Sequence, residues 1–131
     1  LQLSGGERRR AQIARVLAQV WDVPNALLLL DEPTHSLDFG HQHAVLALLR
    51  QLAQQGFSIL ASLHDLNLTA AYAQKVSLLH AGSLVASGSP ETVLTEPTLQ
   101  SIYGHALRFT SVPGPDGPQW LIHQDPAGRA C

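Results

Sequence analysis

Methionine is absent from all 131 residues, cysteine occurs once, at Cys131, and lysine once, at Lys75. A single cysteine excludes an intramolecular disulfide and fits a reducing compartment. No apolar run approaches the roughly 20 residues that a bilayer-crossing helix requires, and no signal peptide is visible at the start. Net charge is −2, and Arg8, Arg9 and Arg10 form the only basic cluster; a nucleic-acid binder working by phosphate neutralisation would need a basic face. With no methionine, and with Leu1 standing inside a motif, the chain is expected to be a fragment. Removal of an initiator by processing is the alternative.

What is present suits one soluble globular domain or a large piece of one, with 45% apolar residues. Ile13, Val16, Leu17 and Val20 recur at helical spacing within Glu7 to Trp21, with Pro24 just beyond. Leu27 to Leu30 is a wholly apolar run, as expected of a strand buried on both faces of a parallel sheet. Val45, Leu48, Leu49 and Leu52 give a second helix over residues 41–55, stopped by Gly56 in the C′ role. A strand from Phe57 to Leu63 completes a βαβ unit, whose hand is nearly always right.

Further on, Asp65 caps a short helix through Ala73. Val76 to Leu79 turns at Ala81-Gly82 into Leu84 to Ala86. Ser89-Pro90-Glu91 starts another helix, and residues 95–103 continue helical after Pro97. Ala106 to Val112 and Gln119 to His123 flank the turn-rich "PGPDGP", which predicts a terminal hairpin. Pro126 to Cys131 are expected to fray. No internal repeat is present.

The chemistry concentrates in three places. In "LLLLDEPT" a buried strand delivers Asp31 and Glu32 to its carboxyl end, where open α/β sheets bind ligands. Two adjacent carboxylates need a positive partner. Mg²⁺ with a nucleotide triphosphate supplies one, Asp31 then holding the metal and Glu32 acting as general base on a water. The alternative is a pair of acids capping a loop before Pro33. "LSGGE" places Ser4, Gly5, Gly6 and Glu7 before a helix, either as an anion site or as an N-cap with an acid in the first turn. His64 ends the second strand at the same sheet edge; it either reaches a phosphate and the acid or is satisfied by a backbone carbonyl.

His41 and His43, at i and i+2, point to different helix faces and make a poor zinc pair. The arginines at 8–10 and Arg50 are read as solvated helix faces, with Arg15 able to pair internally. A phosphate loop of the form G-x-x-x-x-G-K-[ST] is not in the sequence, since Lys75 has no glycine loop around it. This stretch is therefore not expected to cradle a nucleotide unaided.

Taken in order and spacing, "LSGGE", "LLLLDEPTHSLD" and "LHD" resemble the carboxyl-terminal half of an ATP-binding cassette (ABC) transporter ATPase. The resemblance implies an α/β, P-loop NTPase-type three-layer fold, here its carboxyl-terminal half with a terminal β-hairpin. It covers residues 1–104, leaving 105–131 as a short extension. Ser4, Gly5 and Gly6 match the signature that contacts the γ-phosphate of ATP on the opposite subunit, with Glu7 where many members carry glutamine. Asp31 matches the Mg²⁺-associated acid, Glu32 the catalytic base, Ser36, Leu37 and Asp38 the D-loop, and His64 the switch histidine. His35-Ser36 replaces a more usual small pair.

"ARVLAQVWDVPNALLLLDEPTHSLD" and "LHDLNLTAAYAQKVSLLHAG" are similar to the iron-chelate and cobalamin importer group. That implies a homodimeric ATPase using ATP and Mg²⁺ at the cytoplasmic face of the inner membrane. Its expected partners are an integral membrane permease and, indirectly, a periplasmic substrate-binding protein; no nucleic acid is expected. Hemin is the expected cargo, with ferric siderophore or cobalamin as alternatives. A soluble non-transport ABC ATPase or an inactive truncated fragment are the readings from other classes.

Overall fold

A computed structural model describes residues 4–104, 107–114 and 117–124. The chain divides into two compact units, Leu1–His64 and Asp65–Cys131.

The first unit opens with helix α1, Gly5–Val20. Its start is a reciprocal capping box: the Glu7 N–H donates to Ser4 Oγ at 3.2 Å, and the Ser4 N–H donates to Glu7 Oε2 at 2.8 Å. Strand β1, Leu27–Leu30, follows. Helix α2, Phe39–Gln54, begins at the N-cap Asp38. It ends where Gly56 adopts φ 105° and its N–H donates to Ala53 O while the Phe57 N–H donates to Leu52 O, the paired bonds of a Schellman motif. Strand β2, Ser58–Ala61, pairs parallel to β1 with Leu30 opposite Ala61.

Two expectations about packing here are corrected. Strand β1 is covered on one face only: Leu28 is 1% exposed, but Leu27 and Leu29 are 59% and 67% exposed, and Leu60 on β2 is 65% exposed. A strand in a two-stranded sheet alternates sides, and the described residues cover the Leu28 side alone. Helix α2 buries Val45, Leu46, Leu49 and Leu52, leaving Leu48 largely exposed. The predicted stripe was thus rotated by part of a turn, because Leu46 and Leu48 both satisfy a helical repeat and only the neighbours choose between them.

The second unit contains helix α3, Leu66–Tyr72, then a hairpin of β3, Val76–His80, and β4, Ser83–Gly88. Ala81 and Gly82 both take positive φ, 47° and 77°, as a two-residue turn between right-twisted strands demands. Short α4, Pro90–Val93, and α5, Glu96–Tyr103, precede the antiparallel pair β5, Leu107–Gly114, and β6, Gly117–Gln124. Leu99, Val93, Val76, Leu78, Leu107 and Ile122 make this unit's core. The Asn67 side chain ties β6 down, donating to Ile122 O and accepting from Ile122 N–H at 2.9 and 2.8 Å. The expected fraying of residues 126–131 lies outside the described residues.

Candidate functional site

Because β1 and β2 run parallel, their carboxyl ends deliver Asp31, Glu32, Ser62 and His64 to one edge of the sheet. Ser62 continues the ladder, its N–H donating to Leu30 O at 3.0 Å. Its hydroxyl accepts from the Glu32 N–H at 2.9 Å and donates to Asp31 Oδ1 at 2.6 Å. His64 Nε2 lies 2.5 Å from Glu32 Oε1. A carboxylate can only accept, so Nε2 carries the hydrogen. His64 thus meets a carboxylate rather than the backbone carbonyl of the bland alternative. His35 Nδ1 stands 3.5 Å from the other oxygen, Glu32 Oε2.

Glu32 itself takes φ 46°, and Ser36 φ 63°. Both are non-glycine residues in the left-handed region, which L-residues enter only when something holds them. For Glu32 the holders include Arg9. Its Nη2 donates to the carbonyl oxygens of both Asp31 and Glu32. Arg10, its neighbour on α1, donates to His41 Nε2, while His41 Nδ1 meets Asp38 Oδ2. A guanidinium donor at Nε2 and a carboxylate acceptor at Nδ1 place a His41 hydrogen on Nδ1. Arg9 and Arg10 are therefore engaged by the loop, contrary to the reading of residues 8–10 as solvated. Helix periodicity cannot show this, because the partners lie more than twenty residues away in sequence.

The signature stretch sits beside these acids. Gly5 shares with Asp31 and Glu32 an open cleft of about 590 Å³, walled by Arg8, Arg9 and His35. Gly6 is where the loop passes closest: a Cβ there would meet Leu37 Cδ2 at 3.4 Å and Ser36 O at 3.6 Å. Ser4 caps α1, so within this chain its hydroxyl is occupied by the helix start. Asp38 caps α2 through the His41 N–H at 3.1 Å. His43 packs against Phe39 at a tilt of 60°, with ring centroids 4.4 Å apart. Among the described residues no group of three or more His, Cys, Asp or Glu side chains could by itself hold a metal ion.

Two of these carboxylates are held below their ordinary values. For Glu7 the backbone hydrogen bond from Ser4 leads, followed by the Ser4 side chain; for Asp38 the side-chain bond from His41 leads, followed by the His41 backbone. A folded pKa below the unfolded value means that each cap contributes stability above the ordinary carboxylate range and loses it as pH falls through the lowered value. Thermal unfolding should therefore shift downward as pH drops below about 4. Glu7→Gln keeps a capping side chain without the titration and should flatten that slope. An unchanged slope would remove Glu7 from the account.

Sequence reasoning missed Ser62, Arg9, Arg10 and the His41 link. For Ser62 a signal existed: the parallel register that sets Leu30 against Ala61 makes residues 31 and 62 neighbours.

A parallel strand pair gathers two acids, a serine and a histidine at its carboxyl ends beside a glycine-led helix, in a fold that is the carboxyl-terminal part of an ATP-binding cassette ATPase domain. Among such ATPases, the similarity is to hemin import ATP-binding proteins. The chain is 45% identical over 126 residues to Hemin import ATP-binding protein HmuV of Rhizobium etli, covering 93% of this chain and 48% of that protein. Against HmuV of Deinococcus radiodurans it is 48% identical over 114 residues, covering 86% and 44%. A solved structure described as a metal-chelate type ABC transporter in an inward-facing conformation superposes with a TM-score of 0.81 at 31% identity, covering 93% of this chain and 47% of that one. No family model matches the chain. The chain spans about half the length of the curated relatives it matches.

Proposed function

We propose that this chain is the carboxyl-terminal half of the ATP-hydrolysing subunit of an ABC importer, with hemin as cargo. The observation that carries the proposal is the cluster at the strand ends, where Glu32 is oriented by His64 and Asp31 by Ser62. In this reading two complete subunits face each other, each ATP lying between the upstream phosphate loop of one and the Ser4-Gly5-Gly6 helix start of the other. The exposed apolar face of β1 and β2 is suited to cover by further strands or helices of the same cassette. The subunit works against a permease at the cytoplasmic face of the inner membrane, and a periplasmic binding protein supplies cargo from the far side. No described helix is long and apolar enough to cross a membrane, as suits a peripheral subunit.

The donor set suits Mg²⁺. Ser62 bonds Asp31 Oδ1, and Oδ2 remains a hard oxygen ligand of the kind Mg²⁺ takes alongside phosphate and water. When bound, the ion neutralises charge on the phosphates. Glu32 orients the attacking water and accepts its proton. His64 gives its Nε2–H to Glu32 Oε1 and would turn that hydrogen to a γ-phosphate oxygen once nucleotide is bound, while His35 stands beside Oε2. Arg9 fixes the backbone from which Glu32 projects.

The cargo is tested in vesicles holding the full-length cassette and its permease. Hemin-loaded binding protein should stimulate ATP hydrolysis several-fold, whereas ferric siderophore and cobalamin loads should not. Stimulation by either of those instead of hemin would overturn the cargo assignment.

A further inference from the structure

We propose that Arg9 and Ser62 are positioning residues that clamp the Asp31–Glu32 peptide segment from opposite sides and thereby hold Glu32 in its left-handed conformation. The inference rests on the reading of Glu32 as the base.

Three observations converge. Glu32 has φ 46° without being glycine, a conformation its own Cβ disfavours. The Ser62 hydroxyl takes the Glu32 N–H and gives its own hydrogen to Asp31 Oδ1, so one side chain sets both the turn and the acid before it. On the opposite side, the half-buried Arg9 guanidinium spans the Asp31 and Glu32 carbonyls. Glu32 O also receives the His35 N–H at 3.0 Å, and the next turn closes as the Leu37 N–H reaches Thr34 O.

Released from these bonds, Glu32 relaxes toward ordinary negative φ. Its carboxylate then swings away from His64 and from any water placed for attack. Arg9 also belongs to α1, whose first residues form the signature stretch, so the helix that would touch one ATP sets the geometry of the acid that would act on another. Both bonds come from the single nitrogen Nη2, so a lysine at position 9 would keep a charged donor but lose the rigid plane in which the guanidinium holds that nitrogen.

The experiment uses the full-length cassette carrying Ser62→Ala, Ser62→Thr, Arg9→Gln or Arg9→Lys, each alone and combined with Glu32→Gln. Ser62→Ala and Arg9→Gln should lower kcat about tenfold to a hundredfold with KM for ATP nearly unchanged. Ser62→Thr should restore most of the rate, and Arg9→Lys only part. In the Glu32→Gln background neither substitution should lower the residual rate further. Independently of activity, hydrogen exchange at the Glu32 amide should speed up about tenfold or more in Ser62→Ala, because its acceptor is gone, and return in Ser62→Thr. The clamp is overturned if that amide stays protected in Ser62→Ala, or if the rate losses persist undiminished beside Glu32→Gln. Near-normal turnover in Glu32→Gln alone would instead remove the base assignment on which the clamp rests.

Discussion

Glu32→Gln in the full-length cassette should lower ATP turnover by about 10²–10⁴-fold while ATP binding persists. The substitution keeps the side chain's shape and its hydrogen bond, since the His64 Nε2–H can donate to an amide oxygen as it does to Glu32 Oε1 at 2.5 Å. What it removes is the ability to take a proton from water. The effect should therefore fall on kcat, leaving KM and folding nearly intact. A variant retaining near-normal turnover would show that the proton leaves by another route and that Glu32 serves the loop rather than the reaction.

The second large effect is expected at Ser4. Ser4→Arg should leave ATP binding by the single subunit intact and abolish ATP-driven dimerisation, because a bulky cation replaces a small hydroxyl where the helix start would meet the partner's nucleotide. Ser4 also caps α1, so loss of the cap alone would cost about 1 kcal/mol and has to be separated from loss of the interface. Ser4→Asp makes that separation. Aspartate is as good an N-cap as serine, so the helix survives, but its charge faces phosphate. Both variants should fail to dimerise, whereas Ser4→Thr should dimerise. ATP-driven dimers in Ser4→Asp and Ser4→Arg alike would place the nucleotide elsewhere.

The elements were legible because their signals are local. Ser4 and Glu7 stand three apart, Asp38 precedes α2, Gly56 occupies the C′ position of α2 at positive φ, and Ala81-Gly82 occupies a two-residue turn. The acids and His64 were legible as well, because a parallel strand pair sends both carboxyl ends to the same edge. What escaped depends on partners distant in the chain. The left-handed conformation of Glu32 is imposed by Arg9 and Ser62, and no pattern within "LLLLDEPT" announces it. Both arginines looked like solvated charge because a helix repeat shows spacing and not what lies opposite. Similarly, Leu27 and Leu29 carry the same apolar signal as Leu28, and only the number of neighbours tells a strand covered on one face from one covered on two.

The central claim, that the Ser4-Gly5-Gly6 stretch of one subunit and the Asp31–Glu32 edge of the other serve one composite ATP site, is tested most directly by light scattering on the full-length Glu32→Gln protein. With hydrolysis blocked, Mg²⁺ and ATP should convert monomer to dimer, ADP should not, and adding Ser4→Arg should return the protein to monomer in saturating ATP. A monomer throughout, or a dimer indifferent to both ATP and Ser4→Arg, would contradict the claim.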